Sequence, residues 1–401
     1  MRNRSISLVF ITLILWAIVT YFLIFYKSNK NKSKYKFGLQ MNKLENEINE
    51  LISINAQLLQ EFNIQHIQSY NKYENATYKV NSLHNKNYSL KTREFMKVYD
   101  ENKRKSIVRS DFHNTTDVSQ PDQSDIDVPP IEKKFKGYFK IARHYGWALN
   151  EIFFKFAYET AIVIEDDLDI APDFFEYFLG THFLLTADPS LWCISAWNDN
   201  GKSDLVDLKS PHLLYRTDFF PGLGWMLTRN LWQELSPKWP KSYWDDWIRE
   251  PEQRKNRSCI RPELSRTRTF GKFGVSNGLF YEKHLQFIKL NQQLVPFTKM
   301  NLTYLLKEYY DHAFVNEVYK SEVVAHTDLK ANKITPLGSI RLPYYTRQTY
   351  KTVAKIFGLM DDFKSGVPRT GYRGIVTFFY GGRRAYLTPT SSWSGYDKSW
   401  N

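Results

Sequence analysis

The stretch that most constrains this chain runs from Ala161 to Asp169 and reads AIVIEDDLD. Its small and β-branched apolar residues predict a strand buried on both faces, as in a covered parallel sheet. Three acidic residues then follow at the carboxyl end of that strand. Crowded carboxylates repel one another unless a cation holds them, and ligands bind at this edge of open α/β sheets. The stretch is therefore either a site where Mg²⁺ or Mn²⁺ meets a diphosphate, or a solvated acidic turn.

A segment of membrane-spanning length lies near the amino terminus. Residues 6–26 are uncharged and mostly apolar, and a helix of this length at about 1.5 Å per residue spans roughly 30 Å, the thickness of a bilayer core. A cleaved signal peptide would have a shorter apolar region followed by small residues, whereas large aromatic residues and a lysine run follow here. We therefore expect a cytosolic tail at 1–5 and an uncleaved transmembrane anchor at 6–26.

Two signals conflict over the orientation of this anchor. Arg2 and Arg4 precede the span, but five lysines follow it between Lys27 and Lys36, and the positive-inside rule taken literally would put the large domain in the cytosol. Asn-x-Ser/Thr triplets after the span favour a lumenal domain instead. These triplets begin at Asn31, Asn75, Asn87, Asn114, Asn256 and Asn301. Counting charges and triplets leaves the orientation open.

The region after the anchor has the composition of a stem. Between Phe37 and Phe62 apolar residues step by four and three, with Asn55 at a core position. This pattern predicts either a parallel coiled-coil homodimer over 37–62, in which a buried Asn sets the register, or a single amphipathic helix.

A polar segment without clustered aliphatic residues follows the stem pattern up to Pro130. Its composition predicts linker rather than core. We therefore expect stem and linker over 27–119 and one globular domain over 120–401.

The formal net charge of the chain is +13, which raises nucleic acid or an anionic membrane as partners. The lysines lie mostly in the stem, and no recognition-helix or RNA-binding motif is present. We expect a basic, solvated stalk and no nucleic-acid partner.

The globular half begins with a helix and a strand that frame the acidic stretch. KIARHYGWAL predicts a helix whose apolar face carries Ile141, Tyr145 and Leu149. His144 beside that face is either an ordinary satisfied histidine or a nucleotide contact. Residues 191–197 (LWCISAW) predict a second buried strand.

The motif YWDDW places Asp245 and Asp246 among large aromatic side chains. Because neighbouring residues do not share a helix face, we expect at most one of them to enter a given pocket. Desolvation by indoles would raise the pKa of that carboxylate toward the range of a general base. The alternative is that Asp245 caps the following helix.

Two segments are rich in glycine. In FFPGLGW (219–225) the glycines let the backbone approach a ligand closely. FGKFGVSNG (270–278) is either a plain surface loop or a flexible lid over a diphosphate. It is not a Walker P-loop, because no Gly-Lys-Ser/Thr follows in register.

Cys193 and Cys259 are the only cysteines. In a secretory lumen an even pair suggests a disulfide, and two buried free thiols are the alternative.

Seven motifs of the globular half closely resemble the animal N-acetylglucosaminyltransferase I family, in the same order along the chain. They are IEDDLDIAPDFFEYF, LWCISAWNDNGK, LYRTDFFPGLGW, PKWPKSYWDDW, CIRPELSRT, GVSNG and LMDDFKSGVPRTGYRGIVTF. The resemblance runs from about Gln120 to Asn401. It implies an α/β domain of the GT-A, Rossmann-like type and an inverting transferase that moves GlcNAc from UDP-GlcNAc with Mn²⁺.

The same resemblance implies an acceptor, a linkage and a compartment. The acceptor would be the α-1,3-linked mannose of high-mannose N-glycans on glycoproteins, and the linkage formed would be β-1,2. The protein would be a single-pass type II protein of the Golgi membrane with a lumenal catalytic domain.

Individual residues match family positions with known roles. The resemblance implies that Asp167 is the metal ligand, that Asp245 is the general base, and that Cys193 and Cys259 form a disulfide. The implied donor contacts are His144, Glu165, Asp166, Leu223, Trp244, Gly274 and Ser276.

The chain departs from the family in one respect. Family members carry, before the region of Gln120, a segment with the first strand of the nucleotide-binding sheet and contacts on the uracil side. No similar apolar strand is visible between Gln65 and Gln120. We therefore expect the first nucleotide-binding βαβ portion to be missing and the donor site to lack one wall.

Two functions remain in view from the sequence. The first is an active GlcNAc-transferase. The second is a catalytically impaired, membrane-anchored paralogue or isoform that associates with an active relative.

Overall fold

The computed structural model describes residues 95–99, 115–272, 274–275, 278, 280–335 and 338–400. The predicted anchor at 6–26 and the predicted coiled coil at 37–62 lie outside these residues. Within them, no helix is both long enough and apolar enough to cross a membrane.

The described part of the chain is a mixed α/β structure. Its strands are β1 (Phe95–Tyr99), β2 (Thr115–Ser119), β3 (Thr160–Val163), β4 (Leu168–Ile170), β5 (Leu191–Ser195), β6 (Leu214–Thr217), β7 (Trp225–Thr228), β8 (Ser258–Pro262), β9 (Thr267–Thr269), β10 (Glu322–Val323), β11 (Ile340–Pro343), β12 (Phe363–Lys364), β13 (Val367–Pro368), β14 (Val376–Tyr380) and β15 (Arg383–Thr388). Its α-helices are α1 (Lys136–Asn150), α2 (Phe174–Thr181), α3 (Leu184–Ala187), α4 (Arg229–Leu235), α5 (Trp244–Ile248), α6 (Pro251–Arg254), α7 (Lys307–Lys320), α8 (His326–Lys330) and α9 (Arg347–Phe357).

A five-stranded sheet with the order β3-β7-β5-β8-β6 organises the half that carries the acidic stretch. Strands β5 and β8 are parallel, and the other neighbours in the sheet are antiparallel. Every residue of β5 and of β8 is buried, which confirms the prediction of a buried strand at 191–197. Cys193 and Cys259 are register partners across this pair and form the predicted disulfide, with their Cα atoms 4.6 Å apart.

The strand that precedes the acidic residues differs from its prediction. Strand β3 was expected to be buried on both faces of a parallel sheet, but it is half-buried along its length and antiparallel to β7. It is also the end strand of the five, since no described strand pairs with its outer edge. A short apolar run does not reveal how many neighbours a strand has, because those neighbours come from distant parts of the chain.

A short pair of parallel strands, β1 and β2, lies in the segment whose composition predicted linker. Both strands are short, and FMKVY in β1 is an isolated run of aromatic and apolar residues in a polar segment. Such a run carries too little periodicity to be assigned from sequence alone.

Helix α1 packs its apolar face on the five-stranded sheet. Ala142, Tyr145 and Leu149 are buried in one cluster with tryptophans of the sheet and of α4 and α5. Ile141, which was expected on this face, is 37% exposed. The buried stripe is set by positions 142, 145 and 149, and Ile141 lies at its margin.

Three smaller sheets complete the described architecture, and one of them is the antiparallel pair of β12 and β13. Strands β10-β11-β15-β14 form a four-stranded sheet that packs against α9 around a second core. Strands β4 and β9 pair antiparallel, with Leu168 opposite Thr269. The pairing of β4 with β9 matters for the site, because it brings the acidic residues before β4 beside the glycine-rich loop after β9.

Candidate active site

The acidic residues lie in the turn between β3 and β4, against the start of the glycine-rich loop. The backbone N–H of Phe270 donates to the carbonyl oxygen of Asp167 at 3.0 Å. A Cβ atom added to Gly271 would lie 1.8 Å from Oδ2 of Asp167. Only a glycine at this position lets the loop backbone approach that carboxylate so closely.

Glu165 faces the interior of the same turn. The Tyr145 hydroxyl on α1 donates to Oε1 of Glu165 at 2.7 Å. Burial raises the pKa of Glu165 to about 7; the hydrogen bond from Tyr145 opposes this rise, and the negative charges of Asp167 and Asp245 add to it. These mutual effects place the acidic turn and the YWDDW motif in one electrostatic cluster.

Trp244 of the YWDDW motif packs against other aromatic side chains next to this cluster. Trp244, at the start of α5, is buried. Its ring centroid lies 4.3 Å from that of Tyr145, 6.0 Å from that of Trp225 and 5.7 Å from that of Trp239. The residue before it, Tyr243, has a φ of +50°, a left-handed conformation that residues other than glycine rarely adopt.

Asp245 and Asp246 share one cation. Nη1 of Arg249 donates to Oδ2 of Asp245 at 2.8 Å and to Oδ1 of Asp246 at 3.2 Å, and Nζ of Lys364 donates to Oδ2 of Asp246 at 2.8 Å. One guanidinium therefore reaches both carboxylates, and the prediction that at most one of them enters a given pocket stays a prediction. Asp245 also does not cap the helix, since Tyr243 occupies the N-cap position.

The ionisation of Asp245 differs from the prediction as well. Burial acts to raise its pKa, as expected, but the charge and the hydrogen bond of Arg249 and the charge of Lys364 outweigh burial and hold the pKa below its usual value. Asp245 is consequently deprotonated at neutral pH. It is a weaker base than a carboxylate with a raised pKa, but it is always ready to accept a proton.

Four of the remaining predicted donor contacts lie in the described residues, on α1, before β7, in the acidic turn and in the glycine-rich loop. His144 is half-buried on α1, and its Nδ1 lies 2.9 Å from Oε1 of Gln120. The carbonyl oxygen of Leu223 accepts a hydrogen bond from the Thr267 hydroxyl at 2.7 Å. Gly274 is exposed in the glycine-rich loop. Asp166 is exposed in the acidic turn, and Ser276 lies outside the described residues.

The glycines at 222–224 were expected to approach a ligand. Gly224 has a φ of +80°, and a Cβ atom added there would lie 2.6 Å from the Thr267 side chain. This glycine therefore serves close packing between two segments of the protein.

Sequence reasoning missed four residues of the cluster. Tyr145 was assigned only to a helix face, and Gly271 only to a loop. Arg249 carried a signal, because it lies four residues after Asp245 and such pairs meet on a helix. Lys364 carried none, since its contact with Asp246 joins positions 118 residues apart.

The residues present fit a divalent cation at Asp167. Among the described residues, no three His, Cys, Asp or Glu side chains form a group able to hold a metal ion by themselves. A site with one protein carboxylate suits Mg²⁺ or Mn²⁺ bound mainly by substrate phosphate and water. Because Gly271 has no Cβ atom, the space beside Oδ2 of Asp167 that a side chain would fill is left open for hard oxygen ligands.

Comparison with known proteins identifies the family of the chain. Residues 95–400 match the GNT-I family. A protein of Arabidopsis thaliana named alpha-1,3-mannosyl-glycoprotein 2-beta-N-acetylglucosaminyltransferase is 43% identical over 257 residues, which are 63% of this chain and 57% of the relative. The chain thus spans little more than half of the length of that relative. Because the family match extends over most of the sequence, from the first described strand to the carboxyl terminus, the chain belongs to the GNT-I family.

Proposed function

We propose that this chain is a β-1,2-N-acetylglucosaminyltransferase that moves GlcNAc from UDP-GlcNAc to the α-1,3-linked mannose of high-mannose N-glycans. Family membership and the name of the Arabidopsis thaliana relative support this class of reaction. The observation that carries the proposal is the Asp245 carboxylate, held deprotonated by Arg249 and lying in one electrostatic cluster with the acidic turn.

Asp245 is the proposed general base. It accepts the proton of the mannose 2-hydroxyl while that oxygen bonds to the anomeric carbon of GlcNAc and the bond from this carbon to UDP breaks. Attack from the face opposite UDP inverts the configuration and gives a β-linkage. Arg249 orients Asp245 through their hydrogen bond and keeps it in its basic form.

The nucleotide side of the site is assigned to the acidic turn and the glycine-rich loop. Asp167 would hold Mn²⁺, which supplies positive charge to the diphosphate of the donor when it is bound. His144, Glu165, Asp166, Leu223, Trp244, Gly274 and Ser276 are the proposed donor contacts. Gly271 keeps the loop backbone close to Asp167.

The proposed compartment is the Golgi lumen, with residues 1–5 in the cytosol and residues 6–26 as a type II anchor. The Cys193–Cys259 disulfide supports this proposal, because structural disulfides persist in oxidising compartments.

A transfer assay on the full chain tests the proposal. Purified protein in detergent is incubated with UDP-GlcNAc, Mn²⁺ and a high-mannose glycan. The mass of the product is measured by mass spectrometry, and its linkage is assigned by NMR. The expected product carries one added N-acetylhexosamine in β-1,2 linkage. UDP-GlcNAc hydrolysis without glycan modification, or a different linkage, contradicts the proposal.

The second candidate is a catalytically impaired family member that associates with an active relative. The outer edge of β3 favours it, because this edge is unpaired within the described residues and an exposed edge invites association. Ile164, which follows β3, is 41% exposed. UDP-GlcNAc affinity and turnover equal to those of the Arabidopsis thaliana relative exclude this candidate; much weaker binding, with slow or no transfer, supports it.

A further inference from the structure

Three aromatic side chains that the proposed reaction does not use lie together at the start of α1. The rings of Tyr138 and Tyr243 are stacked with centroids 4.6 Å apart and an interplanar angle of 27°. The ring of Phe135 lies 6.4 Å from each of them. We call Phe135, Tyr138 and Tyr243 the aromatic ledge.

The aromatic ledge lies beside Asp245. Tyr138 and Tyr145 are two turns apart on α1 and pair with the consecutive residues Tyr243 and Trp244. The inner pair is buried against the sheet, whereas both rings of the outer pair are only half-buried. Burial, and next the negative charge of Asp245, raise the pKa of Tyr138, so its phenol lies within electrostatic reach of the proposed base.

The backbone of Tyr243, one residue of the Tyr138–Tyr243 pair, has an unfavourable conformation. Tyr243 adopts φ +50° and ψ +44°, in the left-handed region. Non-glycine residues in such conformations cluster at ligand sites, where the surrounding structure holds them in place.

A cleft with a volume of about 730 Å³ adjoins the aromatic ledge. Its lining includes Glu132 and Phe139, which flank the ledge residues on one segment, and Lys241, which lies two residues before Tyr243. Asp125 and Asp127 also line it. The volume lies within the range of small-molecule sites, and the lining mixes an aromatic ring with charged groups.

The chemistry of this surface selects a ligand class. The flat apolar face of a pyranose ring packs well on an aromatic side chain, and its hydroxyls hydrogen-bond well to charged groups. The acidic side chains of the lining, Asp125, Asp127 and Glu132, outnumber its basic side chains, Arg143 and Lys241, so the charge of the cleft favours a neutral ligand over a phosphorylated one.

The glycine-rich loop also approaches the aromatic ledge. A Cβ atom added to Gly137 would lie 2.5 Å from the Val275 side chain, so the glycine-rich loop packs on the residue next to Tyr138. The glycine-rich loop, which is the proposed donor side of the site, thus contacts α1 next to the aromatic ledge.

We infer that the aromatic ledge and its cleft are the acceptor subsite, which binds the pyranose rings of a neutral oligosaccharide and directs a hydroxyl to Asp245. The inference rests on the proposed function, which supplies the glycan as second substrate. Tyr138 and Tyr243 act on the reaction by positioning the acceptor.

Kinetics of matched variants of the full chain test the subsite. Tyr243→Ala and Tyr138→Ala are each expected to raise the KM for the glycan about tenfold while the KM for UDP-GlcNAc stays within twofold. Tyr243→Phe and Tyr138→Phe keep the ring and are expected to restore the acceptor KM. Tyr345→Ala removes a tyrosine that is 69% exposed and far from the motif in sequence, and it is the control for surface truncation. Equal increases in both KM values, or an unchanged acceptor KM, overturn the inference.

A direct binding experiment separates this inference from the proposed function. Saturation-transfer NMR follows a high-mannose glycan with the full chain in the absence of UDP-GlcNAc, for the parent and for Tyr243→Ala. A glycan signal that the variant loses supports the subsite even when the chain transfers no sugar. No signal with the parent, or equal signals with both proteins, overturns the subsite, and transfer by the parent in that case leaves the proposed function standing.

Discussion

Strands β5 and β3 lie in the same sheet with β7 between them. Strand β5 is buried along its whole length and is joined to β8 by the disulfide. Strand β3 is half-buried, ends at the acidic turn and has no described partner on its outer side. Apolar residues form both strands, so the difference lies in their surroundings. The interior strand stabilises the fold, and the edge strand places charged groups at the surface.

This comparison separates two kinds of variant. Changes beside the acidic turn should alter rate and ligand affinity with little effect on stability, and changes in β5 and β8 should do the reverse. The following predictions test that separation, from the largest expected effect to the smallest.

Asp245→Asn is expected to lower the transfer rate by roughly 10²–10⁴-fold, the usual cost of losing a general base. Stability should change little, because Asp245 is partly exposed and Arg249 keeps its contact with Asp246. Turnover and thermal unfolding are measured on the same preparations. Asp246→Asn is the matched variant and should lose less activity; a rate for Asp245→Asn within threefold of the parent removes it from the mechanism.

Ile194→Ala and Ile162→Ala compare the two strands with one substitution. Ile194 is completely buried in β5, and its truncation should cost about 2–5 kcal/mol of unfolding free energy. Ile162 is half-buried in β3, and its truncation should cost about 1 kcal/mol. Urea unfolding followed by circular dichroism measures both; equal costs would show that the edge of β3 is as well packed as the interior.

Replacing both cysteines by alanine should cost about 2–4 kcal/mol of unfolding free energy, because the disulfide closes a loop of 66 residues. UDP affinity of the folded variant should be unchanged, since the bond lies in the interior of the sheet. Calorimetric titration with UDP and Mn²⁺ checks this second part. A loss of UDP affinity at full folding would show that the interior also shapes the site.

Gly271→Ala should weaken Mn²⁺-dependent UDP binding by about 10–100-fold, because its Cβ would displace the carboxylate of Asp167. The melting temperature should stay the same, as only the end of one flexible side chain has to move. Gly395→Ala is the control, since a Cβ atom there meets nothing within 4 Å. Unchanged UDP affinity in Gly271→Ala would show that Asp167 does not hold the metal ion.

The last prediction concerns how the unfolding free energy depends on pH through His284. Burial and the positive charges of Lys202 and Lys283 lower the pKa of His284 from 6.5 to about 4. The unfolded chain therefore binds more protons between these values, so the contribution of His284 to stability is complete above about pH 6.5 and is lost as the pH falls toward 4. His284→Gln should reduce the difference in unfolding free energy between pH 5 and pH 7.5. An identical pH profile would contradict the assignment.

Local patterns in the sequence predicted those elements that are determined by residues close together in the chain. They identified the interior strand at 191–197, the helix that became α1 and the acidic turn. The family resemblance supplied the disulfide. Sequence could not show that β3 is an end strand, because the number of neighbours of a strand depends on residues far away in the chain.

The electrostatics of the site escaped prediction for the same reason. Indoles around Asp245 indicated a raised pKa, but Arg249 and Lys364 reverse the shift. Arg249 could have been found from its spacing, whereas Lys364 could not. Similarly, the contact of Val275 with Gly137 joins a loop and a helix whose sequences carry no shared signal.

The indoles beneath Asp245 have a spectroscopic consequence. Trp244 lies nearly parallel to Trp225 and to Trp239, at interplanar angles of 19° and 21°. Closely spaced indoles couple their electronic transitions, and the coupling contributes to circular dichroism wherever the transition dipoles of the rings are skewed relative to one another. Because fixed aromatic packing is what near-ultraviolet circular dichroism detects, this stack reports on the order of the site without any label. Movement of α5 during catalysis would change the ellipticity and could be followed by stopped flow.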